Sequence, residues 1–296
     1  MTGISSEDTP RSAYVTDWQQ LPAEQLEQQF NPRLSIADAT AVLESFAARS
    51  AALRPALPGP FDISYGADPL MTMDVHQAVE QPEKAPLVVF IHGGYWRTLD
   101  KAGHDFVVAG LRAMGFSVIN VNYPLCPAVT LTALNEAVAL AIEMIDAKRA
   151  SWGLGTGRLV LMGHSAGAHA IALAAATPRL VEKISGLVAI SGIYDPAVVR
   201  QISVQADVRL AADEAQQLNL LARPPLAPLP CYISVGGAEP GGWIGQSLAW
   251  QACAEAAGCP TTLSIAAGAN HFSLLDASCD AGSSEGLAIC RFIHGV

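Results

Sequence analysis

The 296-residue chain lacks any stretch of about 18 residues free of polar interruption; even Leu131 to Ile145 carries Asn135, Glu136 and Glu143, so no membrane span is expected. It also lacks an apolar leader: Met1 to Tyr14 is polar and includes Glu7 and Asp8, which argues against a secretory signal. Charge is sparse, at 15% of residues, and the formal net charge of −10 argues against nucleic acid or an anionic membrane surface as partner. The six cysteines (Cys126, Cys231, Cys253, Cys259, Cys279 and Cys290) form no C-x-x-C pair, and they read as reduced, buried small hydrophobes of a cytoplasmic protein. The seven histidines show no H-E-x-x-H or mixed Cys/His ligand spacing, so no metal is expected. Internal repeats and low-complexity segments are absent too.

What is there is apolar: 51% hydrophobic residues and a mean hydropathy of +0.29, enough for one large core and a single domain over 1–296. Residues 1 to about 15 read as a loose tail. Pro22 to Gln29 and Ser35 to Leu53 are expected to be helical, the second opened by a capping box at Ser35-x-x-Asp38, and together they make an N-terminal helical extension over 1–55. Phe61 to Tyr65 and Met71 to Val79 suggest a hairpin-like entry. Strands then alternate with helices. Strands are expected at Leu87–Ile91, Ser117–Val121, Arg158–Met162, Gly186–Ile190, Cys231–Val235 and Thr261–Ala266. Helices are expected at Lys101–Met114, Leu131–Lys148, Ala166–Thr177, Gly245–Ala257 and Glu285–Ile293. That alternation is the pattern of an α/β fold with a mostly parallel central sheet and helices on both faces. A polar-apolar helical stretch, Val198 to Leu221, interrupts it, and an insertion at about 196–230 is expected to form a small helical cap.

The chemistry centres on Gly163-His164-Ser165-Ala166-Gly167, which sits between an apolar strand and an alanine-rich helix. Strand, sharp turn and helix are the setting of a nucleophile elbow, in which a serine hydroxyl stands exposed over the sheet edge. Upstream, His92-Gly93-Gly94-Tyr95-Trp96 follows directly on the strand Leu87–Ile91. Paired glycines let backbone N–H groups approach a developing oxyanion, so Gly93, Gly94 and Ala166 are the expected oxyanion donors. A serine needs a base and the base an orienting acid. In the order Ser, acid, His, the base is His271, in a small-residue loop after a strand, rather than His294 near the end. The acid is Glu239, the only carboxylate between the strand Cys231–Val235 and Glu255, with Asp207 and Asp213 as reserves.

On these motifs, together with Asn122-Tyr123-Pro124-Leu125-Cys126-Pro127, Gln28-Gln29-Phe30-Asn31-Pro32-Arg33 and Val235-Gly236-Gly237-Ala238-Glu239, the chain resembles α/β-hydrolases of the kynurenine formamidase (arylformamidase) branch, near the hormone-sensitive-lipase-like esterases. The resemblance runs from about residue 14 to the end. It implies Ser165, Glu239 and His271 as a triad, hydrolysis of a formamide or small ester without cofactor, and a homodimer. A carboxylesterase or amidase acting on small-acyl substrates is the alternative, and a non-catalytic receptor on the same fold would be expected to lose a triad member. Tyr95, Trp96, Tyr123 and Trp243 are candidates for the substrate pocket, although Trp96 would serve equally as packing under its loop. Pro240-Gly-Gly-Trp243 is a departure from the branch, which tends to be more polar there. His164 is expected to point away from the attack direction, His169 to pack within the elbow helix, and His104 and Asp105 to sit on a surface helix without a role.

Overall fold

A computed structural model describes residues 14–157 and 159–296 of the chain. Most of the expected tail, and Arg158 at the expected start of its strand, lie outside the described residues. Where the description begins the chain is tied down: Val15 N–H donates to Gly241 O at 3.2 Å, and Tyr14 and Val15 pack on the core.

Eight strands form one sheet: β1 (Ile63–Ser64), β2 (Thr72–His76), β3 (Leu87–Ile91), β4 (Ser117–Val121), β5 (Leu159–His164), β6 (Gly186–Ile190), β7 (Cys231–Gly236) and β8 (Thr261–Ala266). Their order is β1-β2-β4-β3-β5-β6-β7-β8, with β1–β2 and β2–β4 antiparallel and every other pairing parallel. The parallel strands from β3 to β7 are buried along their whole length and read as mostly apolar runs because both of their faces are covered. Alternation divides them between two cores. Val89, Ile91, Ile119, Leu161, Ala189 and Ile233 face one layer. Val88, Phe90, Val118, Met162, Val188 and Tyr232 face the other.

The helices are α1 (Ala23–Phe30), α2 (Ala39–Leu53), α3 (Asp105–Ala113), α4 (Leu131–Lys148), α5 (Ala166–Ala175), α6 (Gln205–Val208), α7 (Ala212–Gln217), α8 (Gly241–Ala256), α9 (Ser273–Ser278) and α10 (Ser284–Gly295). Leu134, Val138, Ile142, Ile171 and Trp250 of α4, α5 and α8 cover the first face of the sheet. Phe46, Val107, Leu111, Leu275 and Ile289 of α2, α3, α9 and α10 cover the second.

Several local expectations change. The second helix starts at Ala39 rather than Ser35, because Asp38 is itself the N-cap, its Oδ1 accepting from Ala41 N–H at 2.9 Å; Pro32–Leu34 is a separate 3₁₀ turn. Helix α8 begins at Gly241, four residues before the expected start, because burial of Trp243 and Ile244 outweighs two unfavourable glycines. The stretch Val198 to Leu221 is not one helix but two 3₁₀ turns around the short α6 and α7.

Neither His104 nor Asp105 lies on a surface. Both are buried, at the junction of the 3₁₀ turn Lys101–His104 with α3. Asp105 accepts from Arg54 at 2.9 Å, and Asp74 accepts from Arg54 at 3.1 Å and from Lys101 at 2.7 Å. This ion-pair group joins the 3₁₀ turn after α2 to β2 and α3. It also brings ligand atoms of Asp74, His76 and Asp105 within 4.8 Å of one another. Arg54 and Lys101 already pair with both carboxylates, and Lys101 also with Asp62 at 2.6 Å, so the chemistry is that of a paired ion cluster rather than a cation site.

Candidate active site

Strand β5 ends at His164; Ser165 follows with φ 56° and ψ −117°, and α5 begins at the next residue. Two glycines permit the turn: a Cβ on Gly163 would lie 2.4 Å from Gly167 O, and one on Gly167 would lie 2.1 Å from Ile91 O. The second contact also presses the elbow against the end of β3. The loop after β3 therefore runs beside Ser165, and a Cβ on Gly93 would stand 3.1 Å from Ser165 Cβ.

That loop is rigidly held. His92 is buried, with Nε2 3.0 Å from Asn122 Oδ1 and Nδ1 2.7 Å from Gly93 O, and it stacks on Tyr123 at 4.4 Å. The Tyr123 hydroxyl donates to His92 O at 2.7 Å. Gly94 takes φ +107°, and Tyr95 and Trp96 take φ 50° and 59°, so three successive residues are in left-handed backbone. Among the described residues, the N–H groups of Gly93, Gly94 and Ala166 donate to no acceptor. Unpaired donors beside a serine, one of them at a helix N-terminus, suit a developing negative charge.

Glu239 lies just after β7 and His271 just after β8, and the two strands pair in parallel register, so both loops open at the same sheet edge as the elbow. His271 Nδ1–H donates to Glu239 Oε2 at 2.7 Å. The other carboxylate oxygen accepts from Gly236 N–H at 2.7 Å and from the Ser191 hydroxyl. All three candidate residues are nearly closed off, at 3% exposure for Ser165, 6% for Glu239 and 2% for His271. The Ser165 hydroxyl and His271 Nε2 make no hydrogen bond among the described residues, and both side chains line one cleft with about 590 Å³ of empty space, part of it open to solvent.

A family model described as BD-FAE matches residues 73–210. The kynurenine formamidase of Danio rerio is 25% identical over 280 residues, covering 88% of this chain and 93% of that protein. The kynurenine formamidase of Drosophila melanogaster is 31% identical over 128 residues, 42% of each chain. Among solved structures, one titled a putative thioesterase from Silicibacter superposes with a TM-score of 0.77 at 24% identity, covering 90% of this chain and 99% of that one. An esterase from Pyrobaculum calidifontis gives 0.63 at 21% identity, covering 92% and 96%. The chain has the α/β-hydrolase fold and is similar to the kynurenine formamidases. It is a hydrolase of the esterase or formamidase kind.

Of the four aromatic residues expected in this hydrolase's pocket, Tyr95 lines the cleft. Trp96, Tyr123 and Trp243 do not; they are buried behind it. Trp243 instead packs 4.5 Å from the His271 ring, and Trp96 packs against His169 at 5.2 Å. Sequence reasoning missed the opposite wall, which comes from Asn31, Pro32 and Arg33, from Leu43 and Phe46 of α2, and from Val204. The helical spacing of Leu43 and Phe46 was the available signal, but it reads equally as core packing. The reserve acids do not approach the histidine: Asp207 pairs with Arg97, and Asp213 is exposed in α7.

Five other histidines, His76, His92, His104, His164 and His169, are buried, and burial lowers the pKa of each. Burial, with His271 nearby, holds His164 well below the usual histidine range; its Nε2–H donates to His271 O at 2.9 Å, so it braces the base loop and is no second base. Burial lowers His76 and His169 to about 4 and, with His92 beside it, His104 to about 3. A histidine depressed in the folded state binds its proton earlier in the unfolded chain. Its stability contribution is therefore complete above about pH 6.5 and is lost as pH falls toward 4. Urea unfolding at pH 4.5 should show a free energy roughly a few kcal/mol below that at pH 7, and His169→Gln should flatten the slope. A profile flat between those two pH values would contradict this reading.

Proposed function

We propose that the protein is a serine hydrolase that removes a small acyl group, formyl in particular, from an aryl amine. His271 Nε2 takes the proton of Ser165 Oγ as that oxygen attacks the carbonyl, while Glu239 holds the imidazole with Nδ1–H turned away from the serine. The tetrahedral oxyanion forms against the N–H groups of Gly93, Gly94 and Ala166. His271 passes its proton to the departing amine, leaving a formyl ester on Ser165. Water, deprotonated by His271, then attacks that ester. A second tetrahedral species collapses to formate and restores the Ser165 hydroxyl with the proton returned from His271.

The observation that carries this reading is the buried 2.7 Å Glu239–His271 pair opening into the same cleft as a serine on a glycine-framed elbow. Support for the substrate comes from the kynurenine formamidases, which are similar over most of the chain, and from a cleft walled by Phe46, Tyr95 and Phe272 that suits an aromatic leaving group. An aryl amine leaves more readily than an alkyl amine, so an esterase-like site can cleave its formamide. The solved esterases of the same fold favour small-acyl esters as the second reading. The test is steady-state kcat/KM on N-formylkynurenine against p-nitrophenyl acetate, with Ser165→Ala as blank. A clear formamide preference that the variant loses is expected; good ester turnover beside a dead formamide reaction would replace the formamidase reading with the esterase one.

A further inference from the structure

The charge of the cleft runs against that of the chain. Formal net charge is −10, yet the cleft wall includes Arg33 and Arg97 and no aspartate or glutamate. The two histidines on the wall besides His271, His104 and His164, are kept neutral by burial. Arg97 is already paired with Asp207, and its Nε is buried without an acceptor. Arg33 differs: its side chain is exposed, and its guanidinium makes no hydrogen bond or ion pair among the described residues.

Its position, by contrast, is well determined. Asn31 Oδ1 accepts from Arg33 N–H at 3.2 Å, Asn31 Nδ2 donates to Glu27 Oε1 at 2.7 Å, and Pro32 is buried within the same 3₁₀ turn. The Tyr95 hydroxyl donates to Phe30 O, joining this turn to the loop beside Ser165. An acidic protein thus fixes the backbone of one unpaired guanidinium at the rim of its narrow cleft. Five free N–H donors in a planar fork match the two oxygens of a carboxylate or of a phosphate-type group.

We propose that Arg33, backed by Arg97, binds an anionic group on the leaving-group half of the substrate and thereby sets a preference for anionic over neutral substrates. The inference rests on the proposed hydrolysis at Ser165. A formyl group carries no substituent, so under that reaction the anion belongs to the amine half.

The test compares kcat/KM on electronically similar pairs: 4-formamidobenzoate against 4-formamidobenzamide, and 4-acetoxybenzoate against 4-acetoxybenzamide, with 4-formamidophenylphosphonate as the phosphate-type arm. The wild-type anion-to-neutral ratio should exceed one. Arg33→Ala should lower it roughly tenfold, the size expected for loss of a charge-assisted hydrogen bond, chiefly through KM. Arg33→Lys should restore part of the ratio, and 1 M NaCl should compress it. A better phosphonate than benzoate substrate would assign the site to a phosphate-type group, and the reverse to a carboxylate. A wild-type ratio of one or below, or a ratio that Arg33→Ala leaves unchanged, overturns the proposal. If the formamides are not turned over at all while the ester pair keeps its Arg33-dependent ratio, the formamidase reading falls and the anion site stands.

Discussion

Replacing Ser165 with alanine is expected to lower kcat by roughly 10⁴- to 10⁶-fold on any substrate the wild-type protein hydrolyses. The substitution removes one oxygen and leaves the elbow intact, because the glycine contacts that permit the turn involve Gly163 and Gly167 rather than the serine side chain. The hydroxyl makes no hydrogen bond among the described residues, so its loss leaves no buried group unpaired. Thermal stability should therefore stay within about 1 kcal/mol of wild type, which separates a chemical effect from a folding one. The residual rate should come from the unpaired N–H groups of Gly93, Gly94 and Ala166 acting on water's attack at the bound carbonyl. A small-molecule receptor on this fold would instead keep all its measurable behaviour in the variant. A variant retaining more than about one hundredth of wild-type kcat would remove Ser165 as nucleophile.

The residues that build the elbow were legible in sequence because each meets a local steric demand. Gly163 and Gly167 sit where a side chain would strike backbone within 2.4 Å, and such positions advertise themselves as glycines next to a short apolar strand. The central parallel strands were legible for a related reason: burial on both faces leaves runs such as Leu87–Ile91 and Gly186–Ile190 with no polar side chain, and the observed β3 and β6 have the expected bounds. Helix starts were less legible. At Gly241 and Asp38 the boundary is decided by tertiary burial and by a side-chain cap, and the intrinsic preferences of neighbouring residues point elsewhere.

The cleft shows where sequence reasoning runs out. Its catalytic edge comes from the loops that follow the parallel strands β5, β7 and β8, so the order of strands and loops alone brought Ser165, Glu239 and His271 to the same sheet edge. Its far wall comes from an N-terminal turn and α2, more than 100 residues earlier in the chain, packed there by long-range contacts such as Gly242 N–H to Gln29 Oε1 at 2.8 Å. No periodicity encodes that docking. The aromatic residues nearest the motifs were the natural choice for a pocket, but Trp96, Tyr123 and Trp243 serve to hold the reactive loops in place.

Changing Glu239 to glutamine should lower kcat by roughly 10²- to 10⁴-fold with little change in KM. The reason lies in the fixed partners of the carboxylate. Gly236 N–H can only donate, and it points at Oε1 from 2.7 Å, so the amide oxygen of a glutamine must take that place. Its NH₂ group then faces His271 Nδ1 across the 2.7 Å now spanned by Nδ1–H and Oε2. Two donors cannot share that gap, so the imidazole shifts to the tautomer protonated on Nε2, the nitrogen that must accept the serine proton. Near-isosteric replacement keeps volume and the Gly236 contact, and the Ser191 hydroxyl can rotate or keep donating to the amide oxygen, so the protein should stay folded. Glu239→Asp, which keeps the charge but shortens the reach, should lose less than the glutamine variant if the tautomer governs the rate, and more if reach does. A glutamine variant within about tenfold of wild type would show that another group orients His271. The buried pair would then be a structural contact, and the acid would have to be sought elsewhere in the chain.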